Sequence, residues 1–318
     1  MATSIWFWVA FNAFVLVLLA IDLGIFHRKA HEVSLREATA WSLVWVALSL
    51  LFAGGIHMYA GVRPATEFLT GYLIEKSLSV DNIFVMVLIF SYLGVPARYQ
   101  HRVLFWGILG ALVMRGAFIA VGALLLSAFH WVIYIFGALL VVTGARMAFR
   151  EEKPPEIEGN PLVRLVSRFV PMTTRYHGQS FFAIENARRV ATPLFLAVLL
   201  VEFTDLIFAL DSIPAIFGIT RDPFLVYTSN VFAILGLRAL YFVLAGVVAK
   251  FHLLRFGLAA ILVFVGVKML IDGVYEIPVF VALAVIATIL AATVVGSLLI
   301  PKKGEGELHS GKEGVGHE

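Results

Sequence analysis

Three carboxylates lie within one strongly apolar stretch of the sequence, from Leu199 to Gly218. They are Glu202, Asp205 and Asp211. The stretch is long enough to cross a bilayer, where an Asp near the centre costs roughly 2.5 to 3.5 kcal/mol. Acids in such a place bind ions, carry protons or pair with buried bases, so the stretch indicates a functional site.

A second apolar stretch, Leu73 to Ile89, carries a related pair of acids. Glu75 and Asp81 are six residues apart, as Asp205 and Asp211 are. Together with the neighbouring amide and hydroxyl groups they form an oxygen-only ligand set, which suits Mg²⁺, Ca²⁺ or Mn²⁺ rather than Zn²⁺ or Cu⁺. The candidate metal ligands are Glu75, Asp81, Asn82, Glu202, Asp205, Asp211 and Ser212.

The same acids could instead neutralise buried bases. The bases that lie deep in apolar stretches are Lys76, Arg115, Arg238 and Lys268. Acids exceed these bases by one, so at least one carboxylate would still need a cation or a proton. The alternative applies most directly to Glu75, which has Lys76 beside it in the sequence.

Helix geometry separates the three acids of the second stretch. At 100° per residue, Glu202 and Asp205 share a face, whereas Asp211 lies about 120° from Asp205. Either the acids serve different partners, or the helix is interrupted near Asp211. Ser212 and Pro214 favour an interruption, because both disturb regular helical hydrogen bonds.

Composition identifies the elements that must position these residues. Hydrophobic residues make up 61% of the 318 residues, charged residues 14%, and the mean hydropathy is +0.94. These values predict an all-α polytopic membrane protein. The absence of cysteine excludes disulfides and thiolate ligands. No GxSxG or HExxH motif is present, so we expect no enzymatic activity and no cofactor. The basic residues are distributed by membrane sidedness rather than gathered on one surface, so we expect no nucleic-acid partner.

Nine apolar runs are long enough to span a bilayer. They are Ile5 to Phe26, Ala40 to Tyr59, Phe68 to Val95, Val103 to Leu126, Trp131 to Phe149, Leu194 to Ile219, Phe224 to Ala249, Phe256 to Tyr275 and Pro278 to Ile300. With nine spans, 17 Lys and Arg residues fall on one side of the membrane and only Arg63 and Arg221 on the other. The positive-inside rule therefore predicts an external N-terminus and a cytoplasmic C-terminus.

Three consecutive spans recur along the chain. Aligning Asp81 with Asp211 also pairs Glu75 with Asp205, and further along Arg115 pairs with Arg238. The third spans match as GALLVVTGARM (137–147) and AAILVFVGVKM (259–269). The predicted sidedness makes the two halves inverted, an arrangement typical of transporters with a site near the bilayer midplane.

These assignments divide the chain into six segments. They are two N-terminal spans (1–67), the first three-helix repeat (68–149), a cytoplasmic loop (150–191), the second, inverted repeat (192–275), a last span (276–300) and a disordered cytoplasmic tail (301–318). Within the loop, Leu162 to Phe169 predicts either a short helix on the membrane interface or a solvated linker helix.

The sequence resembles the TerC family of bacterial integral membrane proteins, which includes the Alx proteins and is grouped with lysine-exporter-like transporters. The resemblance rests on EKSLSVDNIFV (75–85), VEFTDLIFALDSIPA (201–215) and YTSNVFAILGLRALYF (227–242). It covers the nine-span core. It implies a protein of the bacterial inner membrane that exports divalent cations, chiefly Mn²⁺, with links to tellurium-resistance operons.

The function expected from these observations is export of Mn²⁺, or else Ca²⁺, by exchange with protons, because the sequence has no nucleotide-binding GxxxxGK[ST] motif. The partners would be the metal ion and the lipid bilayer. One alternative is a membrane factor that does not transport and assists a resistance complex or protein insertion. A weaker alternative is an intramembrane enzyme that uses paired aspartates.

Overall fold

A computed structural model describes residues 4–21, 33–149, 170–185, 188–245, 251 and 253–299. Over these residues the chain forms ten α-helices and one β-hairpin. The helices are α1 (Ile5–Ile21), α2 (Leu35–Ala60), α3 (Val62–Leu93), α4 (Ala97–Ala128), α5 (Val132–Phe149), α6 (Pro193–Phe217), α7 (Pro223–Leu235), α8 (Leu237–Leu244), α9 (Leu254–Ile271) and α10 (Val279–Leu299). The strands are β1 (Phe182–Glu185) and β2 (Arg188–Ala191).

Six helices of the described chain, α2, α4, α5, α6, α9 and α10, are long and apolar enough to cross a membrane. Helices α7 and α8 would together make a seventh span, bent by 42° at the break between them. The sequence also predicts spans at α1 and α3, which are not among the six. The described part of α1 has only 17 residues, and α3 carries several charged residues. The count of nine spans therefore stays a prediction.

Helix α6 does not break where the sequence favoured an interruption. It continues past Asp211 and through Pro214 to Phe217. Pro214 lies in the last turn and has no N–H, so it removes one helical hydrogen bond, whereas its carbonyl still accepts from the N–H of Gly218 at 3.0 Å. The interruption lies instead at Gly236, between α7 and α8.

Helix α3 lies at the centre of the molecule and packs against α2, α6, α7 and α10. Its buried residues contribute to three hydrophobic clusters, one with α5, α6 and α9, one with α1, α2 and α7, and one with α4, α6 and α8. Large apolar side chains such as Leu51, Val113 and Leu299 are instead exposed on the outside, at 72%, 70% and 75%. A bilayer is the solvent that favours such a surface.

Helices α5 and α9 approach each other at glycines. A Cβ on Gly137 would lie 2.9 Å from the carbonyl oxygen of Gly266, and a Cβ on Gly144 would lie 2.7 Å from that of Ala259. The residue numbers rise along one helix as they fall along the other, so the two helices are antiparallel. The absence of side chains at these positions brings the two backbones into contact.

The all-helical prediction missed the hairpin. Strands β1 and β2 pair antiparallel, from Phe182 with Ala191 to Glu185 with Arg188. The segment before β1 is attached to the end of α3 by a hydrogen bond from the Tyr176 hydroxyl to the Leu93 carbonyl (2.8 Å). The expected helix at 162–169 and the disordered tail at 301–318 lie outside the described residues.

Candidate functional site

The guanidinium of Arg115, on α4, is the centre of a buried polar cluster. It donates to the carboxylates of Glu75 on α3 and Asp205 on α6. The bond from its Nη2 to Asp205 Oδ1 is 2.7 Å and the bond from its Nε to Asp205 Oδ2 is 3.1 Å, so that pair is bidentate. All three side chains are at most 4% exposed. The cluster joins the two motifs that the sequence repeats.

Two amides and a hydroxyl complete this cluster. Asn230 on α7 donates to Glu75 Oε2 (3.0 Å) and accepts from Arg115 Nη1 (3.2 Å). Asn82 donates to Asp205 Oδ1 at 3.1 Å, and Ser212 Oγ lies 3.4 Å from Arg115 Nη1. We refer to Glu75, Asn82, Arg115, Asp205, Ser212 and Asn230 as the Arg115 cluster.

Helical spacing explains why these residues meet. Asn82 follows Glu75 by seven residues, which brings it back to within about 20° of the same helix face. Ser212 follows Asp205 by the same interval. The second acid of each motif, Asp81 or Asp211, follows the first by six residues and is therefore turned about 120° away. Each motif thus directs one acid toward Arg115, with Ser212 beside it in the second motif, whereas the amide nitrogen of Asn82 in the first motif reaches Asp205.

Glu202 lies one turn before Asp205 on α6, against α4. A Cβ on Gly110 would lie only 1.9 Å from its Oε1, so the glycine leaves the space that this carboxylate occupies. Its Oε2 is buried and has no hydrogen-bond partner among the described residues. A buried carboxylate oxygen without a donor is unfavourable unless a proton or a cation is supplied.

A cavity of about 10 Å³ adjoins the Arg115 cluster on this side. Asp205, Arg238 and Gly107 line it together with apolar residues of α3, α4, α6 and α8. The volume is about that needed for one water molecule. The cavity therefore has room for one water molecule or small ion beside Asp205, in addition to the contact of Asp205 with Arg115.

The remaining candidate ligands lie apart from Arg115. Asp211 is partly buried and lies near Thr143 of α5. Asp81 is also partly buried, on α3. Within the part of the chain that the structure describes, no three acidic or imidazole side chains stand close enough together to hold a metal ion. The acids of the second motif therefore have different partners, one of the two arrangements the sequence allowed.

The buried bases also have different partners from those that their sequence positions indicate. Lys76 does not bind its neighbour Glu75, because consecutive helical residues point about 100° apart. Its ammonium instead lies 3.4 Å from the carbonyl of Ala233. Lys268 donates to the carbonyl of Gly218 at 2.8 Å. Glu75 and Asp205 both pair with Arg115, as the ion-pair alternative expects, and their role as metal ligands stays a prediction.

A larger cavity, of about 340 Å³, lies at the ends of α6 and α9. Exposed ion pairs cross it, from Arg63 to Glu67 (3.0 Å) and Glu276 (3.4 Å), and from Arg221 to Asp272 (2.7 Å). We call this space the vestibule. The vestibule contains Arg63 and Arg221, the two basic residues that the positive-inside rule assigned to the external side.

Asn230 is the functional-site residue that the sequence analysis did not select. It lies in the polar sequence TSN (228–230), inside an otherwise apolar run, and is 1% exposed. A buried amide in such a run needs hydrogen-bond partners. That requirement is the signal by which the sequence could have identified it.

Residues 60–305 match the family described as integral membrane protein TerC. The chain belongs to the TerC family. The match begins at the last residue of α2 and extends beyond α10, so it contains every residue of the Arg115 cluster. It confirms the resemblance drawn from the sequence motifs, and the chain is a multi-pass integral membrane protein.

Similar TerC-family proteins come from several bacteria. A protein of Myxococcus xanthus named "Uncharacterized membrane protein STKORF319" is 54% identical over 292 residues, which is 92% of each chain. A protein of Escherichia coli strain K12 named "Putative membrane-bound redox modulator Alx" is 51% identical over 295 residues, 90% of this chain and 92% of its own. A Rickettsia bellii membrane protein is 39% identical over 92% of this chain and 97% of its own. No solved structure matches this TerC-family chain.

Proposed function

We propose that this TerC-family protein exports divalent metal cations from the cytoplasm, with Mn²⁺ as the favoured substrate and protons as the exchanged ion. The observation that carries the proposal is the charge of the Arg115 cluster. Two buried carboxylates, Glu75 and Asp205, share a single guanidinium. With both acids ionised the cluster has one excess negative charge, which favours a nearby cation or a bound proton.

Glu202 adds to this excess from the adjoining turn of α6. Its unpartnered oxygen and the small cavity beside Asp205 are on the α4 side of the cluster. A carboxylate there can exchange a proton for a metal ion, because both neutralise the same buried charge. The donors in this region are oxygen atoms, which suit Mn²⁺ or Ca²⁺ better than Zn²⁺ or Cu⁺.

The contacts between α5 and α9 support the inverted-repeat part of the proposal. The sequence repeat makes Gly137 equivalent to Ala259 and Gly144 equivalent to Gly266. The observed contacts join Gly137 to Gly266 and Gly144 to Ala259. Exchanging the two halves turns each contact into the other, as a two-fold axis in the membrane plane requires. Transporters built from inverted repeats hold their substrate near such an axis.

The name redox modulator, which the Alx relatives carry, is compatible with metal transport. This sequence has no cysteine, so a redox effect of this chain does not act through a thiol of its own, and we propose that it acts through the supply of metal ions. We place the protein in the bacterial inner membrane with its N-terminus outside, which follows from the distribution of Lys and Arg.

Flux of Mn²⁺ into proteoliposomes under a pH gradient tests the proposal. We expect the wild type to transport Mn²⁺ into the lumen and the lumen pH to rise in step, because protons leave as the metal ion enters. Glu202→Gln should reduce the flux at least about tenfold, since it removes a buried charge that the metal would neutralise. Glu276→Gln is the matched control, because that carboxylate is 72% exposed in the vestibule and should leave most of the flux intact.

Three outcomes would count against the proposal. Wild-type protein that carries no divalent ion under any gradient would favour the membrane factor that does not transport. Equal flux in the Glu202→Gln and Glu276→Gln variants would show that Glu202 is not part of the transport pathway. Selective transport of Zn²⁺ would contradict the argument from oxygen ligands.

A further inference from the structure

The break between α7 and α8 has a residue of α3 fitted into it. Helix α7 ends at Leu235, α8 begins at Leu237, and the two are bent by 42°. The last four carbonyls of an α-helix have no partner within the helix and form the negative end of its dipole. The Ala233 carbonyl belongs to this group. A break inside a membrane protein needs a donor or a cation at this end.

Lys76 supplies that group. Its Nζ lies 3.4 Å from the Ala233 carbonyl oxygen, and a Cβ on Gly236 would be 2.6 Å from the same Nζ. Trp45 of α2 covers the other side, 3.3 Å from that Cβ position. The backbone conformation at position 236 does not require glycine, since a φ of −81° and a ψ of −4° are accessible to any residue. Glycine is there because the ammonium fills the space that a Cβ would use.

The repeat provides an internal comparison. The position equivalent to Gly236 in the first half is Val113, and α4 runs through it without a break. The position equivalent to Lys76 in the second half is Leu206, which carries no charge. In the second half, the broken pair α7 and α8 contacts Lys76 of the first half. In the first half, the continuous helix α4 has no such lysine, because the second half carries Leu206 at the equivalent position. The lysine and the break occur together.

The break determines where two polar side chains lie. Asn230, before it, donates to Glu75 in the Arg115 cluster. Arg238, after it, lines the cavity beside Asp205. If α7 and α8 were one straight helix, the 42° bend between them would be removed and at least one of these side chains would be displaced. Lys76 thus acts on the cluster from a distance, through the angle between two half-helices.

We propose that Lys76 is a positioning residue whose ammonium acts as a fixed monovalent cation at the break between α7 and α8. Sodium-coupled transporters hold a free cation against the carbonyls of such interrupted helices. Here the cation is covalently part of the chain, so the break forms without Na⁺. This inference about the fold is independent of the transported substrate.

Thermal unfolding of purified protein in detergent tests the role of the charge. Lys76→Met keeps the unbranched side chain up to the position of the ammonium, which it removes, and it should lower the Tm by on the order of 2–4 °C. Lys76→Ala also opens a space that a small amine can enter. Ethylammonium should raise the Tm of Lys76→Ala toward that of the wild type, and tetramethylammonium, which has no N–H donor, should not. Neither of these two cations should change the Tm of the wild type or of Lys76→Met.

Gly236→Ala gives a second measurement that does not require removal of the lysine. Its Cβ would displace the ammonium, so it should lower the Tm as Lys76→Met does. The double variant should be no less stable than Lys76→Met alone, because the contact can be lost only once. A Gly236→Ala protein as stable as the wild type, or equal responses of Lys76→Ala to the two amines, would overturn the proposal.

A last arm rests on the proposed function. If Lys76 replaces Na⁺, wild-type Mn²⁺ flux should be unchanged when N-methylglucamine replaces Na⁺ on both sides of the membrane. Flux that requires Na⁺ would contradict the proposed exchange with protons, and the thermal-unfolding results would then decide on Lys76. Absence of all flux would refute the transport proposal and leave the thermal-unfolding results to decide on Lys76.

Discussion

Replacing Gly110 by alanine adds one methyl group where α4 touches the Glu202 carboxylate. The new Cβ would lie 1.9 Å from Oε1 and 2.3 Å from Cδ, and protein Cβ atoms essentially never approach another atom more closely than 3.0 Å. The carboxylate must therefore retreat by at least about 1.1 Å. Because Oε2 has no hydrogen bond to lose, the stability cost should be near 1 kcal/mol, the lower end for overpacking.

The functional cost should be much larger than the structural one. A misplacement of about 1 Å in a reacting group costs on the order of 10²-fold in rate when geometry matters. Gly110→Ala should therefore reduce Mn²⁺ flux in proteoliposomes by a factor between about 10 and 10², while membrane abundance and Tm remain close to those of the wild type.

Gly116→Ala is the matched control for this prediction. It makes the same substitution on the same helix, where the new Cβ would meet only the Tyr227 ring at 3.5 Å, an ordinary contact. Its flux should equal that of the wild type. Equal flux in the two alanine variants would show that the position of the Glu202 carboxylate does not matter, and the reasoning about Glu202 would be refuted.

Three other perturbations follow from separate parts of the structure. Arg115→Met leaves two buried carboxylates without their base, so the free energy of unfolding should fall by about 3–5 kcal/mol, and adding Asp205→Asn should recover part of it in denaturant titrations. Gly144→Leu should separate α5 from α9, because even a Cβ would be 2.7 Å from the Ala259 carbonyl, and the distance between spin labels on introduced cysteines should increase. Hydrogen bonds from His177 and then Thr173 hold the pKa of the Glu185 carboxyl below its usual range. This stabilisation of the hairpin should be complete at neutral pH and be lost as the pH falls through the lowered pKa, and hydrogen exchange should show no such step in Glu185→Gln.

The positions of the helices and of the central acids could be predicted from the sequence. Apolar runs of spanning length leave a chain few alternatives to helix, and a buried acid is costly enough to mark its own site. The seven-residue spacing already placed Asn82 on the face of Glu75. Which base these acids would meet could not be read, because Arg115 is 40 residues from Glu75 and 90 from Asp205. That choice depends on how α3, α4 and α6 pack.

Two of the alternatives failed for identifiable reasons. An interruption near Pro214 was one of two alternatives, but α6 continues through Pro214 to Phe217 and the break lies at Gly236. In sequence, Gly236 lies in an apolar run and resembles any helical glycine. Lys76 was considered as a partner of Glu75 because the two are adjacent, whereas adjacent residues on a helix point in different directions. The hairpin could not be recognised, because its strands have only four residues each.

The ion pairs of the vestibule differ from the Arg115 cluster in how they respond to ionic strength. Arg63 is 69% exposed and Arg221 is 49% exposed, so dissolved salt screens their attraction to the nearby acids. Each such pair contributes at most about 1 kcal/mol, whereas the buried cluster is shielded from ions in solution. Among the links between the ends of α3, α6 and α9, these ion pairs are therefore the ones whose strength depends on the salinity of the medium, whereas the buried bond from Lys268 to the Gly218 carbonyl does not. On the proposed orientation this end lies outside the cell, so saline surroundings would loosen these ion pairs and leave the Arg115 cluster unchanged.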